Sequence, residues 1–443
     1  MNEKALLDPE FIRSLPDGYE TNPHHRIVAN ALTKNEVNKV AYSFPALTQN
    51  PFKFSKVIDT GAVTAQKQSG RCWMFAVLNL LRYNFAKSIN VGSFEFSENY
   101  LAFWDKFEKY NKFYENIIET ADLPFRDRAI HHLFSHCVGD GGTWDMCASL
   151  CQKYGLVPKD AMPETCQSSA TGNMNGVMSA QLRKNALALR KMRAGGAGAE
   201  EMRACKKQYL QDAYAILCMC FGTPPQTFRF EYYDKDEAFH DEGEFTPQDF
   251  YSKYIHFPFE DYIPIVNVPV EDRPFNQTYS LRFRTHGIDG KPVILLNAEI
   301  DALRNAVICG LEAGEPMVFS ADVAHYMDRD AGQFIYNMFD YNTLFGMDFS
   351  MPKPDQMMSR NSSPNHMMLF TGINYAGDGS PNRYKVQNSW GDEKAEKGYF
   401  VMDAKWFDML VYGVFANKKY LPEALVEAYK KEPVIVDPWD FLH

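Results

Sequence analysis

Gln66-Lys67-Gln68-Ser69-Gly70-Arg71-Cys72-Trp73-Met74-Phe75-Ala76 is the stretch on which the reading of this chain turns. From Cys72 the sequence runs through Val77, Leu78, Leu80 and Leu81 to Phe85 without Gly or Pro. That pattern predicts a buried helix beginning just after Ser69-Gly70. A thiol in the first turn of a helix feels the positive end of the macrodipole, which favours thiolate and makes the sulfur a nucleophile. A lone cysteine before an apolar helix is ordinarily core, however, because free cysteine is among the most buried residue types.

Two distant stretches weigh against the core reading. Asn365-His366-Met367-Met368-Leu369-Phe370 places a histidine at the head of a short apolar strand, and Tyr384-Lys385-Val386-Gln387-Asn388-Ser389-Trp390-Gly391 ends a second strand on Asn388. A cysteine nucleophile needs a base to take its proton and a third group to hold the imidazole in the useful tautomer. Cys72, His366 and Asn388 form such a set. Gln66, six residues before the thiol, supplies a side-chain amide donor for an oxyanion.

Gln-(five residues)-Cys-Trp, then His before an apolar strand, then Asn-Ser-Trp-Gly, is similar to the papain superfamily. The variant Gln-Lys-Gln-Ser-Gly-Arg-Cys-Trp, with the length of the chain and its ending, resembles the bleomycin hydrolase and aminopeptidase C family, from about Thr60 onwards. The resemblance implies an α+β, papain-like fold in two parts: a helical half carrying Cys72 and a β-barrel half carrying His366 and Asn388, with the cleft between them. It implies a cysteine aminopeptidase acting on peptides, without cofactor or metal, assembled as a homohexamer. It also makes Trp390 a shield for the Asn–His hydrogen bond, and Gly141 and Gly142 substrate-binding positions. Secreted papain-like enzymes usually bridge a Cys three residues before the nucleophile to one shortly before a Gly-Gly pair. Ser69 and Gly139 stand there in this chain.

Composition narrows the class independently. A chain of 443 residues with 45% apolar and 14% aromatic content supports a large packed core. The formal charge of −10 leaves no electrostatic footprint for nucleic acid, and no dense Lys/Arg run marks a membrane surface. Residues 1–9 lack the apolar run of a signal peptide, and nine cysteines make an odd number without a secreted framework, so a reducing, cytoplasmic setting is expected.

Along the chain, residues 1–60 read as an N-terminal packing or assembly segment with a capped helix start at Asp8-Pro9. Residues 61–430 read as the peptidase domain, with a mainly helical insertion around 174–265, and residues 431–443 as a C-terminal arm reaching the cleft. Cys72 and His366 lie 294 residues apart, against about 130 to 150 in a minimal papain-like enzyme. His132/His136 and Cys147/Cys151 have helical i,i+4 spacing, but the first pair lacks the Glu of a zinc-peptidase motif, and helix-face packing is the expectation for both.

The arm, Asp437-Pro438-Trp439-Asp440-Phe441-Leu442-His443, is too apolar to be left in water. In the resembled family a similar Pro-Trp-Asp tail lies in the cleft, where its terminal carboxylate, here that of His443, would hold the substrate's α-amino group. After Asp440 the sequence departs from that pattern, so an oligopeptide endopeptidase with an opened cleft is the rival expectation. An inactive papain-like binding scaffold is the remote one.

Overall fold

The computed structural model describes residues 6–284 and 292–442. The N-terminal segment is a run of short helices. The first, Pro9–Glu20, starts as the sequence predicts: Asp8 caps it by accepting the Glu10 amide at 3.0 Å. Its apolar side chains Phe11, Ile12, Leu15 and Tyr19 are exposed.

The helical half is built on the nucleophile helix, Cys72–Ile89, and on Glu98–Glu119, whose N-terminus is capped by the buried Ser97. Two helices of 23 residues each, Gly172–Ala194 and Ala199–Phe221, pack against Glu98–Glu119. The turn between them has Gly196 at φ +95, a conformation that favours glycine. A hairpin, Phe228–Tyr233 with Phe239–Phe245, and the helix Pro247–Tyr254 follow. They bring Phe230, Phe250 and Tyr254 within 6.1 Å of the Phe85 ring, and so staple this region onto the nucleophile helix.

The β half is, among the described residues, a twelve-stranded sheet whose centre is His366–Tyr375, paired antiparallel with Met317–Ala321 on one side and Pro381–Gln387 on the other. Successive residues of a strand face opposite ways. Met367 and Leu369 accordingly join the core shared with the nucleophile helix, while Met368 and Phe370 join the core of the β half, where Phe370 stacks on Phe319 at 3.8 Å. The strand that begins on His366 is therefore the seam between the two halves. Leu295–Asn297 is a strand toward one edge of the sheet. The arm adds Val434–Val436 as a parallel strand beside Gln277–Leu281, which delivers the last residues to the seam. Among the described residues no helix is long and apolar enough to cross a membrane.

Candidate active site

The nucleophile helix begins on Cys72 itself, where its first turn meets the sheet. Arg71 before it is buried, and its guanidinium grips both oxygens of Glu164, at 3.0 and 2.8 Å, while Nε donates to the Ser69 hydroxyl at 2.9 Å. The loop entering the helix is thus fixed by a charge-assisted fork. Cys72 is 9% exposed. Burial pushes its thiol up, opposed by the backbone N–H groups of Met367, Trp73 and Cys72 itself. The contact with the Met367 N–H places the sulfur beside the residue that follows His366.

His366 opens the central strand, and its Nε2 lies 2.8 Å from Asn388 Oδ1. The same oxygen accepts the Ser389 N–H at 2.8 Å. An amide oxygen can only accept, so Nε2 carries the proton and Nδ1 is left as the basic nitrogen. Trp390 stacks on the imidazole at 4.8 Å and 28°, as the shield reading expects, and the Arg329 guanidinium lies 4.8 Å from the Trp390 ring. Burial, against the Asn388 hydrogen bond and aided by the Arg329 charge, pushes the imidazolium down to about 4. The helix-dipole argument favours thiolate at Cys72, but burial outweighs it here: both shifts favour a neutral thiol beside a neutral imidazole.

Gln66 is buried and tied to the same loop as Asn388. Its amide oxygen accepts the Ser389 hydroxyl at 2.6 Å, and its backbone N–H donates to the Ser389 carbonyl at 2.8 Å. The amide nitrogen therefore points the other way; one of its two hydrogens goes to the Ser69 carbonyl at 2.5 Å and the second is left for a ligand. Cys72, His366 and Gln66 all line one cleft of about 810 Å³.

Gly141 and Gly142 line it too. A Cβ at Gly142 would fall 2.4 Å from the Trp73 ring, whereas one at Gly141 would meet open space. Glycine at 142 is thus a packing necessity, and the exposed backbone beside it is what an extended peptide could reach. The arm enters the same cleft, with Pro438, Phe441 and Leu442 among its lining residues. Asp440 pairs with Arg273, the Arg128 guanidinium covers the Trp439 ring at 4.1 Å, and Arg360 donates to the Trp439 carbonyl at 2.9 Å. Leu442 is buried with Val268, Val293 and Tyr412. His443, expected to bind substrate, lies outside the described residues. His132 and His136 stack on one another at 4.6 Å, His132 edge-on to Trp439; Cys147 and Cys151 are buried in the helical core.

Sequence reasoning missed Asp140, which gathers hydrogen bonds from three separate segments beside the nucleophile loop. Its only signal in the sequence is a carboxylate preceding a Gly-Gly pair.

The chain matches the model of the Peptidase C1-like family over residues 6–443. It is 40% identical over 434 residues to aminopeptidase C of Lactobacillus delbrueckii subsp. lactis, covering 97% of this chain and 96% of that one. With aminopeptidase C of Listeria monocytogenes the identity is 38% over 438 residues, 97% of each chain. Among solved structures, PepW of Lactobacillus rhamnosis superposes with a TM-score of 0.96 at 39% identity, covering 99% of this chain and 98% of that one.

Proposed function

The chain belongs to the Peptidase C1-like family and is a cysteine-type aminopeptidase, and we propose that it removes N-terminal residues from peptides by a Cys72–His366–Asn388 mechanism. The observation that carries this is the convergence of Cys72, His366 and Gln66 on one cleft, with Asn388 hydrogen-bonded to His366 and the arm in the cleft's wall.

His366 Nδ1 takes the thiol proton as Sγ adds to the scissile carbonyl carbon. The oxyanion is held by the free hydrogen of the Gln66 amide and the Cys72 backbone N–H. His366 then gives its proton to the departing amine as the C–N bond breaks, leaving an acyl-thioester. Water, deprotonated by His366, releases the N-terminal residue and restores the thiol. Asn388 keeps the Nε2–H tautomer throughout. The arm closes one end of the cleft, so that a peptide presents its N-terminus there.

Hydrolysis of a free-amino aminoacyl amide, compared with an N-acetylated peptide, tests this reading in wild type, in Cys72→Ala and in a deletion of Phe441 to His443. Wild type should cut the free-amino substrate, Cys72→Ala neither, and the deletion should gain the blocked peptide. Efficient cleavage of the blocked peptide by wild type would make the chain an endopeptidase instead. The proposal extends to a cytoplasmic homohexamer. All nine cysteines are free, which suits a reducing compartment, and the exposed apolar side chains of Pro9–Glu20 offer a contact surface. Sedimentation velocity measures the assembly.

A further inference from the structure

Asp140 lies at the junction of the two loops that wall the nucleophile's end of the cleft. Its Oδ2 accepts the Gly70 backbone N–H at 2.8 Å and the Thr171 hydroxyl at 2.5 Å. Its Oδ1 accepts the Asn175 amide at 2.7 Å and the Lys106 ammonium at 2.5 Å, and its backbone carbonyl takes the Trp73 indole N–H at 2.8 Å. Lys106 is 1% exposed and also donates to the Gly139 carbonyl at 2.9 Å, while Lys109 donates to the Gly141 carbonyl at 2.7 Å. A Cβ at Gly70 would fall 2.9 Å from the Asp140 Cβ. The two loops therefore meet with no room for a side chain between them. Burial would raise the Asp140 carboxyl, but Lys106 and the hydrogen bonds from Lys106, Thr171 and Asn175 hold it well below the usual carboxylate range.

We propose that Asp140 is a positioning residue for the reaction: its carboxylate clasps the loop carrying Gln66 and Cys72 to the Gly139–Gly142 loop and fixes the oxyanion donors relative to the bound peptide. The inference rests on the cysteine peptidase reading. Gly70 lies two residues before Cys72, so an acceptor withdrawn from its N–H frees the segment that aims both oxyanion donors, and displacement of about 1 Å there costs about a hundredfold in rate. Lys106, itself buried, neutralises the charge, and the Gly70 contact is the element that acts on catalysis.

Two double variants separate the clasp from the ion pair. Asp140→Asn with Lys106→Met removes both charges and keeps a side-chain oxygen for the Gly70 N–H. Asp140→Ala with Lys106→Met removes the oxygen as well. The first should keep kcat within about tenfold of wild type and the second should lose about a hundredfold, with KM changing by less than kcat. Alkylation of Cys72 by iodoacetamide, followed on the Cys72 peptide by mass spectrometry, should fall with kcat in the second variant alone at equal Tm. That readout needs no substrate, so its outcome stands apart from the peptidase assignment. Equal kcat and equal Cys72 alkylation in the two variants, or losses that track Tm in both, would overturn the proposal. If the alanine variant does not fold, Thr171→Val removes one arm of the clasp isosterically. It should lower kcat severalfold with Tm nearly unchanged, and an unchanged kcat would equally overturn the proposal.

Discussion

His366 is held as a neutral ring by burial, with its imidazolium pushed down to about 4 from an ordinary value of 6.5. An unfolded chain binds a proton there between those two values and the folded chain does not. Its stability contribution is therefore full above about pH 6.5 and is lost as pH falls toward 4, by about 3 kcal/mol in all. Urea unfolding of wild type and His366→Gln at about pH 7.5 and about pH 4.5 should show the wild type losing more stability on acidification. Equal losses would mean that the ring is solvated in the folded state. Asn388 acts on the same ring through one bond of 2.8 Å. Asn388→Ala should lower kcat by about a hundredfold or more while leaving alkylation of Cys72 within severalfold, because the tautomer is lost and the nucleophile is not. A kcat within threefold of wild type would remove Asn388 from the mechanism.

Elements decide how these residues meet, and they were unequally legible. The nucleophile helix was readable because an unbroken apolar run without Gly or Pro marks it in the sequence. His366 and Asn388 were readable because each sits at the edge of a strand bounded by polar residues. The Asp140 clasp, the Arg71–Glu164 fork and the Arg273–Asp440 pair were not, since each joins single residues across 31 to 167 positions with no period to betray it. Ser69 and Gly139 read as the two halves of a missing bridge; what occupies the place is the hydrogen bond from Gly70 to Asp140, one residue further along each of the two loops. The arm itself was legible as an apolar tail that reaches the cleft, but the pair that fixes it there was not. Its Asp440 side chain is 6% exposed against Arg273, and removing one partner of such a pair costs about 3–5 kcal/mol locally. Arg273→Met should therefore loosen the arm and raise cleavage of an N-acetylated peptide relative to a free-amino substrate, with Cys72 alkylation no slower than in wild type. An unchanged ratio would show that the arm is held by Trp439 and Leu442 alone.

Across the whole molecule, both halves bury charge as well as apolar surface. Glu98, fully buried behind the nucleophile helix, is raised by burial and by neighbouring Glu95, and its Oε2 has no hydrogen-bond partner. In the β half, Lys353 is lowered by burial to about 7 and donates to the backbone carbonyls of Asp408 and Val411. These two groups make stability depend on pH with opposite signs. A carboxyl raised on folding favours the folded state below its unfolded value, and the benefit is lost as pH rises through the folded value. A lysine lowered on folding makes stability rise between about 7 and its ordinary 10.5. Glu98→Gln keeps the shape and removes the ionisation. Its stability relative to wild type should be near zero at about pH 5 and should grow by at least about 1 kcal/mol by about pH 9, since one pKa unit is worth about 1.4 kcal/mol. Lys353→Met should show the reverse slope, its advantage over wild type greatest at about pH 6 and shrinking toward about pH 10. Parallel slopes for the two variants would mean that the two halves are not dry enough to shift either group, and the neutral resting state assigned to Cys72 and His366, which rests on burial too, would fall with them.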